Sequence, residues 1–475
     1  MSEPSDLTAP PVATPVGFWA DVREALRGSE HDYTKGPIGR SILLLSIPMV
    51  LEMALESVFA VTDVFFVSKL GPDAVATIGL TESMLTLIYA LAMGLGIGTT
   101  AVVARRIGEK DREGAAIVAV QATVLGAAGA LLLGSLGVAF APRLLALMGA
   151  SPGVLQIGSG YTRVMLGGEA TIVLIFVINA VFRGAGDAAI AMRVLWLANA
   201  INIVLGPCFV FGVGPFPELG VTGAAVGTTI GRGIGALYAI SRLLRPGSRV
   251  PVARRHLRID LGVMRTVARL SGSGAFQSII GMASWIGLVR IVATFGSEAL
   301  AGYTIGIRAV VFAILPSWGM SNAAATMVGQ ALGARDPDRA ERSVWRACLY
   351  NLAFLSLAGL VFLVFARPIV SAFTSDPQVM EFGVDCLRIV AAGFPFYAYG
   401  MVLSQSFNGA GDTMTPTLLN LVVFWIWELP LAWLLAVKLG LGPEGTFLAV
   451  AVAFSTLAML AAAIFRRGRW KKVMV

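Results

Sequence analysis

The sequence predicts an all-α membrane protein: twelve transmembrane helices in two pseudo-symmetric six-helix lobes, related as parallel repeats. Three observations predict it. The 475 residues are 56% hydrophobic and 13% charged, with a mean hydropathy of +0.79. Apolar stretches of about 20 residues or more recur from end to end, each long enough to cross roughly 30 Å of hydrocarbon. The turn residues repeat at a constant offset of 225: Gly71-Pro72-Asp73-Ala74 returns as Gly296-Ser297-Glu298-Ala299, Gly108 and Asp111 as Gly333 and Asp336, Pro152, Arg163 and Gly168 as Pro377, Arg388 and Gly393, and Arg183-Gly-Ala-Gly-Asp187 as Asn408-Gly-Ala-Gly-Asp412.

The elements follow in order. Residues 1–37 are a polar tail in which Phe18 to Leu26 can form a short amphipathic helix on a membrane surface. No signal peptide is expected ahead of the first span. The first lobe, 38–244, holds spans near 40–68, 74–102, 115–140, 157–181, 188–213 and 220–244. A basic loop, 245–262, leads into the second lobe, 263–465, with spans near 263–293, 298–328, 343–366, 382–406, 416–438 and 443–465. A basic tail, 466–475, closes the chain. The runs are rich in Leu, Ala and Gly and lack strict alternation, so the backbone must satisfy itself as helix. A soluble helical core would need a polar face on most segments, and few have one.

Charge sets the orientation. The 2–3 link carries Arg105, Arg106, Lys110 and Arg112, and the 6–7 link Arg242, Arg245, Arg249, Arg254, Arg255 and Arg258. The 8–9 link carries Arg335, Arg339 and Arg342, and the tail Arg466, Arg467, Arg469, Lys471 and Lys472. The opposite side offers little beyond Lys69, Arg143, Arg367 and Lys438. The positive-inside rule therefore places both termini in the cytoplasm. The same bias accounts for the net charge of +8, and no nucleic-acid partner is expected. Cys208, Cys348 and Cys386 are scattered in apolar segments and read as small core residues, not as a disulfide framework. His31 and His256 lie outside the spans.

Six spans per repeat bring both repeats in and out on the same side, so the repeat axis lies along the membrane normal and the working cavity between the halves. The glycines of the two Gly-Ala-Gly-Asp turns permit tight turns, and Asp187 and Asp412 can cap the helices that follow. Neither a strand nor a GK[ST] accompanies them, which weakens a nucleotide-loop reading. Ionisable groups at mid-bilayer are site candidates by default, because each costs about 2.5–3.5 kcal/mol on insertion scales. Glu52, Glu56 and Asp63 of the first span point within about 40° of one another at helical pitch, forming one acidic stripe. Pro48 can kink that helix. Asn179 and Asn202 are polar groups at depth in spans 4 and 5, and packing is an open alternative for them, as it is for Glu52 and Glu56. Glu82 and Glu169 are weaker candidates. The position 225 beyond Asp63 is Leu288, so the second half is poorer in acids. It offers Asp385 and Glu428, the latter beside Trp425 and Trp427, and Arg308 is a possible cation in a second cavity.

The stretch Pro48…Asp63-Val-Phe-Phe-Val-Ser-Lys-Leu-Gly71 resembles the first helix of the MATE family, the multidrug and toxic compound extrusion transporters. Arg183-Gly-Ala-Gly-Asp187, Asn202-Ile-Val-Leu-Gly-Pro207-Cys-Phe-Val-Phe-Gly212 and Leu219-Gly-Val-Thr-Gly-Ala-Ala225 resemble its helix 4–6 region. The resemblance covers about 38–465. It implies twelve helices in two lobes that face alternately in and out, and efflux of organic cations driven by Na⁺ or H⁺, without a further cofactor. It implies that Asp63, Asn179 and Asn202 match the N-lobe cation site, where Na⁺ could bind, and that Pro48 matches the proline linked to bending of helix 1. The chain departs from the pattern at Gly206, where many members carry aspartate, at helix 7, which lacks the C-lobe glutamate, and at Glu56, where glutamine is more usual. The expectation is that Glu56, with Glu52, supplies the missing carboxylate and that H⁺ is favoured over Na⁺.

Two other classes fit the topology. A lipid-linked oligosaccharide flippase would want a cationic cavity for a pyrophosphate, whereas the N-lobe cavity reads as acidic. A membrane-embedded prenyl transferase would need a DDxxD motif, and none occurs. The expected partners are small organic molecules and the bilayer, with the protein a monomer. Phe59, Trp285, Phe394, Phe396 and Trp425 are aromatics that could stack on planar cations.

Overall fold

The computed structural model describes residues 17–28, 31–68 and 70–475, with the side chains of 58–68 excepted. The N-terminal amphipathic helix is α1, Phe18–Arg27, with Phe18 and Trp19 exposed. The first half continues as α2 (Ile38–Ser68), α3 (Pro72–Gly108), α4 (Arg112–Leu147), α5 (Pro152–Gly167), α6 (Glu169–Ala185), α7 (Ala188–Phe211) and α8 (Val221–Leu243). The second half is α9 (Leu261–Val292), α10 (Ser297–Gly333), α11 (Pro337–Ser371), α12 (Pro377–Ala392), α13 (Phe394–Ala410), α14 (Met414–Asn420), α15 (Leu429–Trp433) and α16 (Pro443–Arg466). No strand occurs among the described residues.

The duplication reaches the backbone angles. Asp111 accepts a capping hydrogen bond from the Gly114 amide, and Asp336 does the same for Arg339, both at 2.8 Å. The residues just before them, Lys110 and Arg335, are left-handed at φ 63° and 61°. Gly186 and Gly411 end α6 and α13 at φ 83° and 86°, a conformation that favours glycine. Prolines open α5 and α12, with Ser151 and Asp376 as their caps. Asp187, expected to cap α7, makes no side-chain cap bond, whereas Asp412 accepts from the Thr415 amide.

Two expectations need correction. Among the described residues, ten helices are long and apolar enough to span, and α12 with α13, bent by 58°, makes an eleventh if taken as one span. The expected span 220–244 exists as α8, but its five glycines, three threonines, Arg232 and Arg242 leave it too polar to count by composition. Spans 4 and 10 are not single rods: α5 gives way to α6 at Gly168, and α12 to α13 at Gly393. Pro48 sits inside α2, which is continuous through it. A departure from the repeat comes after α13: the segment matching α7 contains π-helical turns at Leu421–Glu428 and Leu434–Lys438 on either side of α15.

The outer faces of the helices are apolar. Leu131, Leu132, Leu237, Ile286 and Val364 are each at least 59% exposed, as lipid contact requires and water would not favour. The halves meet through glycines in pairs. A Cβ on Gly94 of α3 would lie 2.4 Å from Ser271 O in α9, and one on Gly319 of α10 would lie 2.5 Å from Met49 O in α2. A Cβ on Gly108 would lie 2.1 Å from Gln330 O, and one on Gly333 would lie 2.1 Å from Arg105 O. Gly94 and Gly319 are 225 residues apart, and the Gly108–Gln330 and Gly333–Arg105 contacts are counterparts at that offset in both partners, reciprocal as a two-fold relation demands. The C-terminal ends of α3 and α10 meet at one face, which makes the repeats parallel rather than inverted.

That face gathers the basic links. Arg105 donates to Ala410 O and Val473 O, Arg249 to Ala185 O and His31 O, and Lys110 pairs with Asp32 at 2.8 Å. Arg339, buried, donates to the carbonyls of Tyr33, Lys35 and Gly36 at 2.8–3.1 Å. The segment 31–36, expected to be part of a polar tail, is thus clamped between the halves. Burial would raise the Asp32 carboxyl, but hydrogen bonds from Lys110 and Thr34 hold it down at about 2. Its contribution is present above the ordinary carboxylate range and is lost only as pH falls through about 2, so this clamp does not titrate near neutrality. Arg339→Ala is expected to cost about 1.5–3 kcal/mol and to expose 31–36 to limited proteolysis. Lys110→Ala, which removes a largely exposed pair, should cost less than about 1 kcal/mol. Equal protease resistance of Arg339→Ala and wild type would show that the clamp does not hold the segment.

Candidate functional site

A cavity of about 280 Å³ lies between the halves. Its first-half wall comes from Glu52, Met53 and Glu56 of α2, Tyr89 and Met93 of α3, and Phe176, Asn179 and Arg183 of α6. Its second-half wall comes from Leu315, Trp318 and Asn322 of α10 and Gln405 and Asn408 of α13. The helical spacing expected for the acidic stripe puts Glu52 and Glu56 on this wall together. The Asp63 side chain lies outside the described residues.

The two glutamates differ in their partners. Arg183 Nη1 donates to Glu52 Oε1 at 2.8 Å, an ion pair in which Glu52 is 1% exposed. Glu56 accepts from Asn199 Nδ2 at 3.3 Å, a neutral donor. The negative charge of Glu52 is therefore compensated in place and that of Glu56 is not, so Glu52 and Glu56 do not form the bare carboxylate pair that their stripe suggested. Asn179 Nδ2 donates to Ala191 O at 3.4 Å, which leaves its Oδ1 buried without a partner. Glu52 Oε2 and Asn408 Oδ1 are likewise unpartnered. Three acceptor oxygens without donors, two carboxylates and one guanidinium make a wall suited to positive charge, and Trp318, Phe176, Tyr89 and the two methionines supply apolar surface for an organic body.

Asn202 sits behind this wall. It donates to Thr228 Oγ1 of α8 at 2.7 Å and is buried. A Cβ at Gly206, one turn further along α7, would lie 3.3 Å from Asn202 Oδ1, so the position at which the sequence departs from the pattern it resembles faces that amide. The residues expected for a second cavity are dispersed. Arg308 is exposed on α10, Trp425 is 42% exposed with its indole donating to Ile280 O, and Glu428 is buried in the π-helical stretch. None of the three lines the cavity between the halves. Among the suggested aromatics, Phe394 is fully buried and Phe396 is half-exposed, while the Phe59 side chain lies outside the described residues. No group of three or more His, Cys, Asp or Glu side chains among the described residues is placed to hold a metal ion.

Sequence reasoning missed Arg183, Asn199, Thr228, Tyr89 and Arg232 as parts of the polar system. Two signals were available. Position 183 is Arg where its repeat partner 408 is Asn, an asymmetry that marks a charge with a local reason. Arg232 is a lone cation midway along an otherwise uncharged run, which in a bilayer calls for a partner.

The gate at the basic face is built from equivalent residues. Arg105 donates to Ala410 O in the second glycine turn, and its repeat partner Gln330 donates to Gly184 O in the first. Thr326 donates to Arg183 O. These bonds and the glycine contacts tie the two halves together on that side.

Comparison with known proteins agrees with this architecture. The MatE family model matches residues 48–208 and again 272–434, once in each half. The chain is 26% identical over 446 residues to "Probable multidrug resistance protein NorM" of Thermotoga maritima, covering 92% of this chain and 94% of that protein. It is 27% identical over 409 residues to "FAD transporter" of Shewanella oneidensis, covering 85% and 89%. A solved structure described as the outward-facing conformation of a multidrug resistance MATE family transporter of the MOP superfamily superposes with a TM-score of 0.87, at 26% identity over 93% of this chain and 98% of that one.

Proposed function

The chain belongs to the MATE family, and on that premise we propose that it exports organic, mostly cationic compounds across a bacterial inner membrane in exchange for H⁺, with both termini in the cytoplasm. The observation that carries this reading is the state of the two cavity glutamates. Glu52 is neutralised by Arg183, whereas Glu56 meets only an amide, so Glu56 is the described carboxylate free to take either a proton or a cationic substrate. A group that can bind one or the other, but not both, is the minimum an exchanger needs. Two lobes, 38–244 and 263–465, joined by the loop 245–262, would rock about the contacts of α2 with α10 and α3 with α9. With the two halves tied together at the basic face, this state would exchange with the outside through the opposite face.

Asp63 belongs to the same proposal. It follows Glu56 on the expected acidic stripe and matches the acid of the family's N-lobe site together with Asn179 and Asn202. Asp63→Asn is expected to reduce coupled efflux to near background while the protein still inserts, because the change removes a proton or Na⁺ acceptor and keeps the shape. Efflux of a fluorescent cation from vesicles under an imposed pH gradient or an imposed Na⁺ gradient tests both points. Drive by the pH gradient is expected; drive by Na⁺ alone would replace H⁺ by Na⁺ in the proposal, and wild-type efflux by Asp63→Asn would remove Asp63 from it. Arg183 favours one further substrate test, since a guanidinium beside Trp318 and Phe176 could also hold a planar anion. FAD belongs in the same panel, and FAD export without cation export would overturn the cationic assignment.

A further inference from the structure

Behind the cavity, in the seam between α6 and α8, lies a charged pair that the exchange reading above does not use. Glu169 opens α6, halfway through the run Pro152–Ala185, and is 1% exposed; neither of its carboxylate oxygens has a hydrogen-bond partner. Arg232 stands halfway along α8. The two helices are in close contact on either side of the pair, since a Cβ on Gly168 would lie 2.7 Å from Thr229 Oγ1 and one on Gly233 would lie 3.9 Å from Thr171 Cγ2. Arg232 nevertheless makes no ion pair with Glu169. It donates instead to the Tyr89 hydroxyl at 3.2 Å, and Tyr89 lines the cavity.

We propose that Glu169 is a proton-binding site separate from the cavity acids, and that Arg232 is its switch, turning between Tyr89 and Glu169. A carboxylate buried at mid-membrane without a donor is too costly to hold ionised; in the geometry described it holds a proton, and the guanidinium is turned to the cavity wall. When the proton leaves Glu169 for solvent in the cavity, the carboxylate left behind attracts Arg232. The guanidinium gives up the Tyr89 hydroxyl and forms an ion pair in the α6–α8 seam. Positive charge then withdraws from the cavity wall, and a cationic substrate is favoured. Reprotonation returns Arg232 to Tyr89 and disfavours the cation. Exclusion of substrate by proton thus needs no shared ligand. Among the described residues, the charged or titratable groups that face this pair are Tyr89 of α3 and Glu56 of α2; α4, α5, α7 and α10 bring no charge that acts on Glu169.

This inference rests on the exchange reading, and two measurements separate their fates. In purified full-length protein, the infrared difference spectrum of wild type minus Glu169→Gln is expected to show a protonated-carboxyl stretching band at neutral pH, shifting on addition of tetraphenylphosphonium. Absence of the band means that Glu169 is ionised and overturns the inference, whatever the protein transports. In binding titrations of tetraphenylphosphonium from acid to alkaline pH, exclusion by a proton weakens affinity by up to about tenfold per pH unit per proton. Glu169→Gln should bind weakly with a slope lower by one proton, and Arg232→Gln should bind more tightly with the same loss of slope. A wild-type slope in Glu169→Gln overturns the inference and leaves the exchange reading standing. Wild-type protein that binds no organic cation overturns the cationic reading, and the infrared band still decides Glu169. Glu169→Asp, which keeps the carboxyl, should retain the band and guards against a folding defect in Glu169→Gln.

Discussion

Gly108→Ala is expected to remove most transport, and Gly333→Ala to do the same. The two glycines are the repeat-related points at which α3 and α10 touch at the basic face. A Cβ at either would sit 2.1 Å from a backbone carbonyl oxygen of the opposite helix. Backbone cannot swing aside as a side-chain end can, so the helices must separate. Overpacking of this kind costs about 1–3 kcal/mol. The cost falls on the sealed state alone and should shift the population towards one open at the basic face by roughly 5–150-fold. The hydrogen bonds from Arg105 to Ala410 O and from Gln330 to Gly184 O would lengthen with it. A reporter cysteine at Thr100, on the cavity wall, in a background lacking Cys208, Cys348 and Cys386, should then react faster with an impermeant thiol reagent added from the basic side. Unchanged labelling and unchanged efflux would show that the seam need not close for transport.

Glu56→Gln should be equally damaging, through chemistry rather than conformation. The amide keeps the shape and the contact with Asn199 but can neither bind a proton nor oppose a cation's charge. Coupled efflux is expected to fall by at least about tenfold, the loss of one interaction of about 1.4 kcal/mol. Gly206→Asp in the same protein should restore part of it. A Cβ at 206 would lie 3.3 Å from Asn202 Oδ1, a tight contact that the amide end can relieve by turning, and the turned amide can donate to the new carboxylate. Glu82→Gln, which removes an exposed acid off the stripe, is the control and should change efflux little. Full efflux by Glu56→Gln would make Glu56 a packing residue and return coupling to Asp63 with Asn179 and Asn202. Recovery in the double variant, measured in vesicles with a fixed pH gradient, would show that the cluster needs a second carboxylate but not at one fixed position.

The fold was largely legible because its signals are local. Gly, Pro, Asp and Ser at turns act within three or four residues, and the 225-residue offset between them reappears in the starts of α3 and α10, α5 and α12, and α6 and α13. The breaks at Gly168 and Gly393 were visible as a repeated glycine but not as helix ends, since hydrophobicity runs straight through both. The polarity of α8 escaped notice for the converse reason: its length suffices for a span, and its glycines and threonines serve packing against α7 and α5 rather than lipid contact. The π-helical stretch after α14 left no mark, because Leu421–Glu428 is as apolar as any α-helical span.

The site divides along the same line. That Glu52 and Glu56 share a face is fixed by helical pitch, four residues apart, and the chain by itself determined it. That Glu52 is neutralised and Glu56 is not depended on Arg183, 131 residues away, and Asn199, 143 residues away. Likewise an acid at 169 and a base at 232 could be read as a pair in sequence, but only the packing of α6 on α8 and of α3 beside them turned Arg232 to Tyr89 and left Glu169 without a donor. Sequence determined which helices form, where they turn and which faces are polar, because those follow from interactions within a few residues. Tertiary structure alone decided which charges are compensated, because in a low-dielectric interior the state of an ionisable group is set by whatever the fold places within a few ångströms of it.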